Sequence, residues 1–149
     1  MHSLSLLKQS YEKNNFPCLF LFFIFFSCSS AKEDASFQKI EYNAITRGYS
    51  SQILLQEDTL QYFKNNKEIN SLILTKKIKN TLNSFLEKLD VTILDQLKAP
   101  SEKHQYDGAM YTTLEIVWNG KTYKTVGFDD DNPPKKLNSL LNYLHDLIK

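Results

Sequence analysis

The sequence predicts an α+β fold: a two-layer sandwich whose antiparallel sheet of four to five strands carries two main helices on one face. The expected order is strands, helix, strands, helix. Three observations predict it. Period-two alternation runs through FQKIEYNAIT (Phe37–Thr46) and MYTTLEIVW (Met110–Trp118), the pattern of a strand with one wet face. Leu, Ile and Phe recur at helical spacing in two later stretches. Asn119-Gly120 separates two strand-like runs, and both residues accept the positive φ that a tight hairpin demands. Antiparallel strands with an apolar face must bury it, and amphipathic helices are the available cover.

Taken in order, Ile40, Tyr42 and Ala44 alternate with Lys39, Glu41 and Asn43 in the first strand. Arg47-Gly48 marks a turn. Tyr49–Gln56 reads as a second strand, Glu57-Asp58 as a polar turn and Thr59–Phe63 as a third strand. KNNKEIN (Lys64–Asn70) reads as a loop, with room for a further short strand beside it. Thr75 is an acceptable N-cap for a helix whose apolar face is Ile78, Leu82, Phe85, Leu86 and Leu89. Lys76, Lys77, Asn80, Asn83, Glu87 and Lys88 fall on its other side. Asp90 can cap a short helix carrying Val91, Ile93, Leu94 and Leu97.

KAPSEKHQYDGA (Lys98–Ala109) is the longest segment with neither pattern, and irregular segments of such length are uncommon in compact domains. Lys121–Phe128 is the return strand of the Asn-Gly hairpin, with Gly127 at a kink or bulge. DDDNPP ends the sheet, and Pro133-Pro134 stand where a helix can begin. Leu137, Leu140, Leu141, Leu144 and Ile148 give the last helix its apolar side. KKIKNTLNSFLEKL and KKLNSLLNYLHDL are faintly alike, which leaves open a duplicated ββα unit or the chance likeness of two Leu/Asn/Lys helices.

The N-terminus has a different character. CLFLFFIFF (Cys18–Phe26) is nine apolar residues, five of them Phe. A spanning helix needs roughly 20 apolar residues, whereas a signal-peptide core needs about 7–15 with positive charge before it. Lys8 and Lys13 precede the run, and Ser27-Cys28-Ser29-Ser30 ends it. The alternative is a buried strand or short core helix. Phe25-Phe26-Ser27-Cys28 resembles a bacterial lipobox, the cleavage and lipidation site of a lipoprotein signal peptide, although Phe26 departs from the small or β-branched residue usual there. The resemblance implies that residues 1–27 are removed, that Cys28 is lipidated, and that 28–36 tether a single domain, 37–149. More than one acyl chain is needed for stable anchoring, as a lipidated N-terminal cysteine would supply. Lys32-Glu33-Asp34 reads as a solvated linker or as a short signal routing the protein to the cell surface.

Charge is balanced: the chain has 18 Lys plus Arg against 17 Asp plus Glu, and without Lys8, Lys13 and Glu12 there are 16 of each. That gives no electrostatic case for nucleic acid, which calls for a basic stripe. No cysteine follows Cys28, so the domain has no internal disulfide and no cysteine zinc site. No motif for a cofactor or for an activated nucleophile is present.

Five residues stand out as candidates for recognition: Arg47 and Tyr49 at the first turn, and His104, Tyr106 and Asp107 in the long loop. Arg and Tyr suit interfaces, and loops on a rigid sheet carry recognition. The plainer reading pairs Arg47 with a local carboxylate and packs Tyr106 as a lid on the core. His104, with Glu102 and Asp107 nearby, has the residue types of an acid–base group without a partner nucleophile. Asp129–Asn132 offers oxygen ligands for a hard cation, or caps for the last helix. His145 reads as a surface histidine.

As a whole the chain resembles small bacterial envelope lipoproteins. The expectation is a membrane-anchored protein on the periplasmic or cell-surface side, held by lipid on Cys28 and acting as a binding module for another envelope protein or a small ligand. The alternatives are an inhibitor or accessory subunit of an envelope enzyme, and an enzyme using the Lys98–Ala109 loop.

Overall fold

The computed structural model describes residues 36–149; the apolar run, the lipobox-like tetrapeptide and Cys28 lie outside the described residues. The elements follow the chain as β1 (Phe37–Thr46), β2 (Tyr49–Gln56), β3 (Thr59–Lys64), β4 (Lys67–Ile73), α1 (Lys76–Leu89), β5 (Tyr111–Trp118), β6 (Lys121–Lys124), β7 (Phe128–Asp129) and α2 (Asn138–Leu147). Short 3-10 turns stand at Val91–Gln96, Lys103–Tyr106 and Lys135–Leu137. One sheet runs β4-β3-β2-β1-β5-β6, with β7 also on β5. Every pairing is antiparallel.

This overturns the expected two-layer α+β sandwich of four to five strands. The fold is sheet-dominated, with seven strands in one sheet, and its two α-helices are small, 14 and 10 residues. The duplicated ββα unit fails as well, because the first half contributes a four-stranded meander and the second only β5, β6 and the two-residue β7. The largest departure is at KNNKEIN, expected as a loop with room for a short strand beside it. Asn65 and Asn66, with φ of 48° and 62°, make a tight turn, and Lys67–Ile73 pairs with β3. β4 gave no alternation because it is an edge strand exposed along nearly its whole length. Asn65 also ties its turn back to β2: Ser50 N–H donates to Asn65 Oδ1 at 2.8 Å, and Asn65 N–H to the Ser50 carbonyl at 2.9 Å.

The central register explains the core. Ile40 stands between Leu55 and Ile116, and Tyr42 between Ile53 and Leu114. These residues share one face of the sheet, and Leu82, Leu86, Leu140 and Leu144 of the helices pack into the same cluster. Thr75 caps α1, accepting from Ile78 N–H at 3.3 Å. His145 is half-buried rather than on the surface. Its ring meets Tyr42 edge-on at 5.1 Å, and burial, with Lys149 nearby, lowers it below its ordinary value. Burial likewise pushes Tyr42 up to about 12.

The opposite face is polar. Glu41 and Glu115 are direct cross-strand partners, a pairing of like charges that would repel. Lys39 resolves it by standing 2.5 Å from Glu41 and 2.9 Å from Glu115. Asn43 and Gln52 donate to Glu41 at 2.7 and 2.9 Å. Burial works to raise the Glu41 carboxyl, but Lys39, Asn43 and Gln52 together hold it below its usual range.

The return strand after Asn119-Gly120 breaks at one place. Glu115 pairs with Lys124 and Thr112 with Phe128, so three steps on β5 face four on the returning chain. The extra residue is accommodated around Gly127, a β-bulge. Gly127 is needed there for space, because a Cβ would overlap the Tyr111 ring. Gly127→Ala is expected to lower the urea midpoint of unfolding, costing about 1–3 kcal/mol by overpacking. Adding Tyr111→Ala should restore much of the loss. Equal midpoints for Gly127→Ala and the unsubstituted protein would remove the steric account.

Candidate functional site

The chemistry-bearing side chains gather at one end of the sheet, around Asp129. β7 is two residues long and buried on both sides: Phe128 and Asp129 are each fully buried. Phe128 pairs with Thr112 and joins the core, so the alternation of a strand turns Asp129, opposite Tyr111, to the other face. There the Lys98–Ala109 loop covers it. Ser101 Oγ donates to Asp129 Oδ2 at 2.6 Å, and Lys103 N–H to the same oxygen at 2.9 Å. His104 N–H donates to Oδ1 at 2.9 Å, and His104 Nδ1 lies 2.6 Å from Oδ1.

The rest of the acidic run binds the same loop. Asp130 Oδ1 accepts from Met110 N–H at 2.9 Å, Asp131 takes Lys103 Nζ at 2.7 Å, and Asn132 Nδ2 donates to Ser101 Oγ at 2.8 Å. The expected roles of Asp129–Asn132 are therefore replaced. The three carboxylates engage different loop groups, and among the described residues no group of three His, Cys, Asp or Glu converges for a metal. Nor do they cap the last helix, whose start has no side-chain cap. Burial works to raise the Asp129 carboxyl. The Ser101 hydroxyl, the His104 and Lys103 backbone N–H groups and the His104 ring outweigh it and hold the group far below the usual carboxylate range.

His104 is positioned by Asp129, not by the neighbours expected from sequence. Glu102 accepts from Gln105 Nε2 at 3.0 Å, and Asp107 pairs with Arg47 at 3.4 Å. Ser101 and His104 bind the two oxygens of one carboxylate. A Ser-His-Asp hydrolase instead places the hydroxyl on the far nitrogen of the imidazole. The arrangement here fixes a loop; it does not prime a nucleophile. The other side of His104 meets the Tyr111 ring edge-on at 5.1 Å, and that ring in turn covers Gly127.

The Arg47–Asp107 pair brings the first turn and the long loop together, so Arg47, His104 and Asp107 share one end of the molecule. Both partners are exposed, at 89% and 56%, so the pair itself adds little stability. Tyr106 is 84% exposed, which overturns the reading of it as a lid on the core. Tyr49 is apart from the loop contacts. It lines a shallow hollow with Thr46, Gly48 and Asn65, which adjoins through Thr46 a second hollow lined by Asp107, Met110 and Asp130. Sequence reasoning missed Asp129, Ser101 and Asn132 as one cluster. The signal was present in an unusually long loop and an unusually dense acidic run, but about 25 residues separate them.

No protein-family model matches the chain, and no curated protein matches it in sequence. Among the described residues no helix is long and apolar enough to cross a membrane.

The depressed Asp129 carboxyl has a definite pH signature. A group whose pKa is lower folded than unfolded stabilises fully above its unfolded value and loses that contribution as pH falls toward the folded one. Stability should therefore decline from about pH 4 downward, where an unfolded aspartate begins to protonate. Asp129→Asn is expected to flatten that decline, lower stability at neutral pH, and speed amide exchange at Lys103 and His104, whose N–H groups it receives. Unchanged exchange at those amides would show that the loop is held by something else.

Proposed function

We propose that the protein is a lipid-anchored interaction module of the bacterial cell envelope. Cys28 holds it, and the Arg47 turn with the Lys98–Ala109 loop recognises another envelope protein. The observation that carries this reading is the loop itself. It is irregular in conformation yet fastened at Ser101, Lys103, His104 and Met110 by the acidic run, and it displays Tyr106 almost fully to solvent. A loop ordered before binding loses less entropy on complex formation. Tyr and Arg are the residue types that dominate binding energy at protein interfaces. The anchor is supported by the short apolar run, its preceding lysines and the lipobox-like Phe25–Cys28. If the partner is an enzyme, the module is its inhibitor or accessory subunit.

Two measurements test the two halves. Intact mass of the membrane-extracted protein should begin at Cys28 with added acyl chains, and Cys28→Ala should abolish that species. A mass beginning at Met1 would end the anchor reading. A photo-crosslinking residue at position 106 should trap one envelope protein in cells, with the yield falling sharply when Arg47→Ala is added. The same residue at Glu87, on α1, should trap little of it. Equal trapping from both positions would remove the loop as the recognition surface.

A further inference from the structure

The helices carry a second surface, on the side of the sheet away from Asp129. α1 and the start of α2 frame a cleft of about 490 Å³, within the size range of small-ligand sites. Phe85, Leu89, Ile93 and Leu140 make its apolar lining, and Lys88, Lys135 and Lys136 stand around it. Its one acid, Asp90, is engaged locally by the Thr92 N–H at 3.3 Å and the Thr92 hydroxyl at 2.6 Å. An adjoining hollow shares Phe85 and Lys88 and adds Lys76 and Lys77. None of these five lysines is in an ion pair among the described residues, whereas Lys39, Lys79, Lys103, Lys124 and Lys149 are. Along the sequence they look like the solvated sides of two separate helices. In the fold Lys88, Lys135 and Lys136 meet around one apolar floor, with Lys76 and Lys77 along the adjoining hollow.

We infer that this cleft binds an anionic membrane lipid, with the headgroup phosphate on Lys88, Lys135 and Lys136 and acyl carbon against Phe85, Leu89, Ile93 and Leu140. Charge and apolar lining together match an anionic amphiphile, and clustered lysines beside a bilayer attract anionic headgroups. The chain also enters the domain on this side: Phe37 N–H donates to Asn83 Oδ1 of α1 at 3.3 Å. The inference rests on the anchor reading for the nearness of lipid. From Cys28 to Phe37 the chain can span at most ~30 Å, so a lipid on Cys28 would hold the domain within reach of the bilayer. The Asp129 loop lies on the opposite face of the sheet, so a domain seated by its helices presents Arg47 and Tyr106 outward.

The test uses the Ser36–Lys149 domain, a compact unit that carries the core described among residues 37–148. It should float with vesicles containing phosphatidylglycerol and not with phosphatidylcholine alone, and added salt should release it. Lys88→Glu, Lys135→Glu and Lys136→Glu together should weaken vesicle binding ~100-fold, at about fivefold or more per basic residue. Lys64→Glu, Lys67→Glu and Lys121→Glu together, off this surface, should leave binding within about twofold. Equal flotation with both vesicle types, equal loss in both triple variants, or binding to an acidic peptide without binding to vesicles would each overturn the inference. Because the domain lacks Cys28, these outcomes are independent of whether the intact protein is lipidated.

Discussion

One fully buried carboxylate fastens the Lys98–Ala109 loop to the sheet. Asp129, in β7, is held on β5 by pairing with Tyr111, and it takes up the Ser101 hydroxyl, two backbone N–H groups and the His104 ring. A buried charge is tolerable only when donors replace the water it has lost. Here the donors come from a loop whose one regular element is the short 3-10 turn at Lys103–Tyr106. Each side therefore solves the other's problem. The acid finds its hydrogen bonds, and the loop finds a fixed shape. Asp130, Asp131 and Asn132 extend the same exchange outward, and Arg47 ties the neighbouring turn to Asp107 at the loop's far end. The polar end of the sheet is thus one connected network built from three separated stretches of sequence.

Parts of this architecture are legible in the sequence because their causes are local. The Thr75 cap, the Ile78–Leu89 face of α1 and the Asn119-Gly120 hairpin each follow from residues within one or two turns of chain. β1 and β5 announce themselves because each has one buried face. β4 does not, because apart from Leu72 it is exposed and the alternation never appears. With β4 read as a loop and β6 and β7 as one return strand, the sequence reading underweights the sheet. The Asp129 network was illegible for a different reason. An acidic run beside Pro-Pro has two local explanations, a cation or a helix cap, and the actual partner is fixed only once β7 docks on β5. His145 failed similarly, since its neighbour Tyr42 lies about a hundred residues away.

The two faces of the sheet divide the molecule's labour. The apolar face holds the helices, and those helices turn their lysines outward around the Phe85 cleft. The polar face is balanced within itself by Lys39 between Glu41 and Glu115, and it carries the fastened loop at one end. Net charge near zero conceals local differences, because acids collect around Asp129 while Lys88, Lys135 and Lys136 stand together around the Phe85 cleft. The average charge is therefore a poor guide to what either surface attracts.

The sheet's outer edge has its own consequence. β4 presents a free row of backbone donors and acceptors, the kind of template on which a second chain can grow. Ile69 interrupts it, since the register slips between Tyr62 and Phe63 and leaves that residue without an opposite number. Lys67 and Glu68 add charge just before the slip. A strand so interrupted offers only short runs of matching hydrogen bonds on either side. Along this edge, an added strand would find a broken template and not a continuous one.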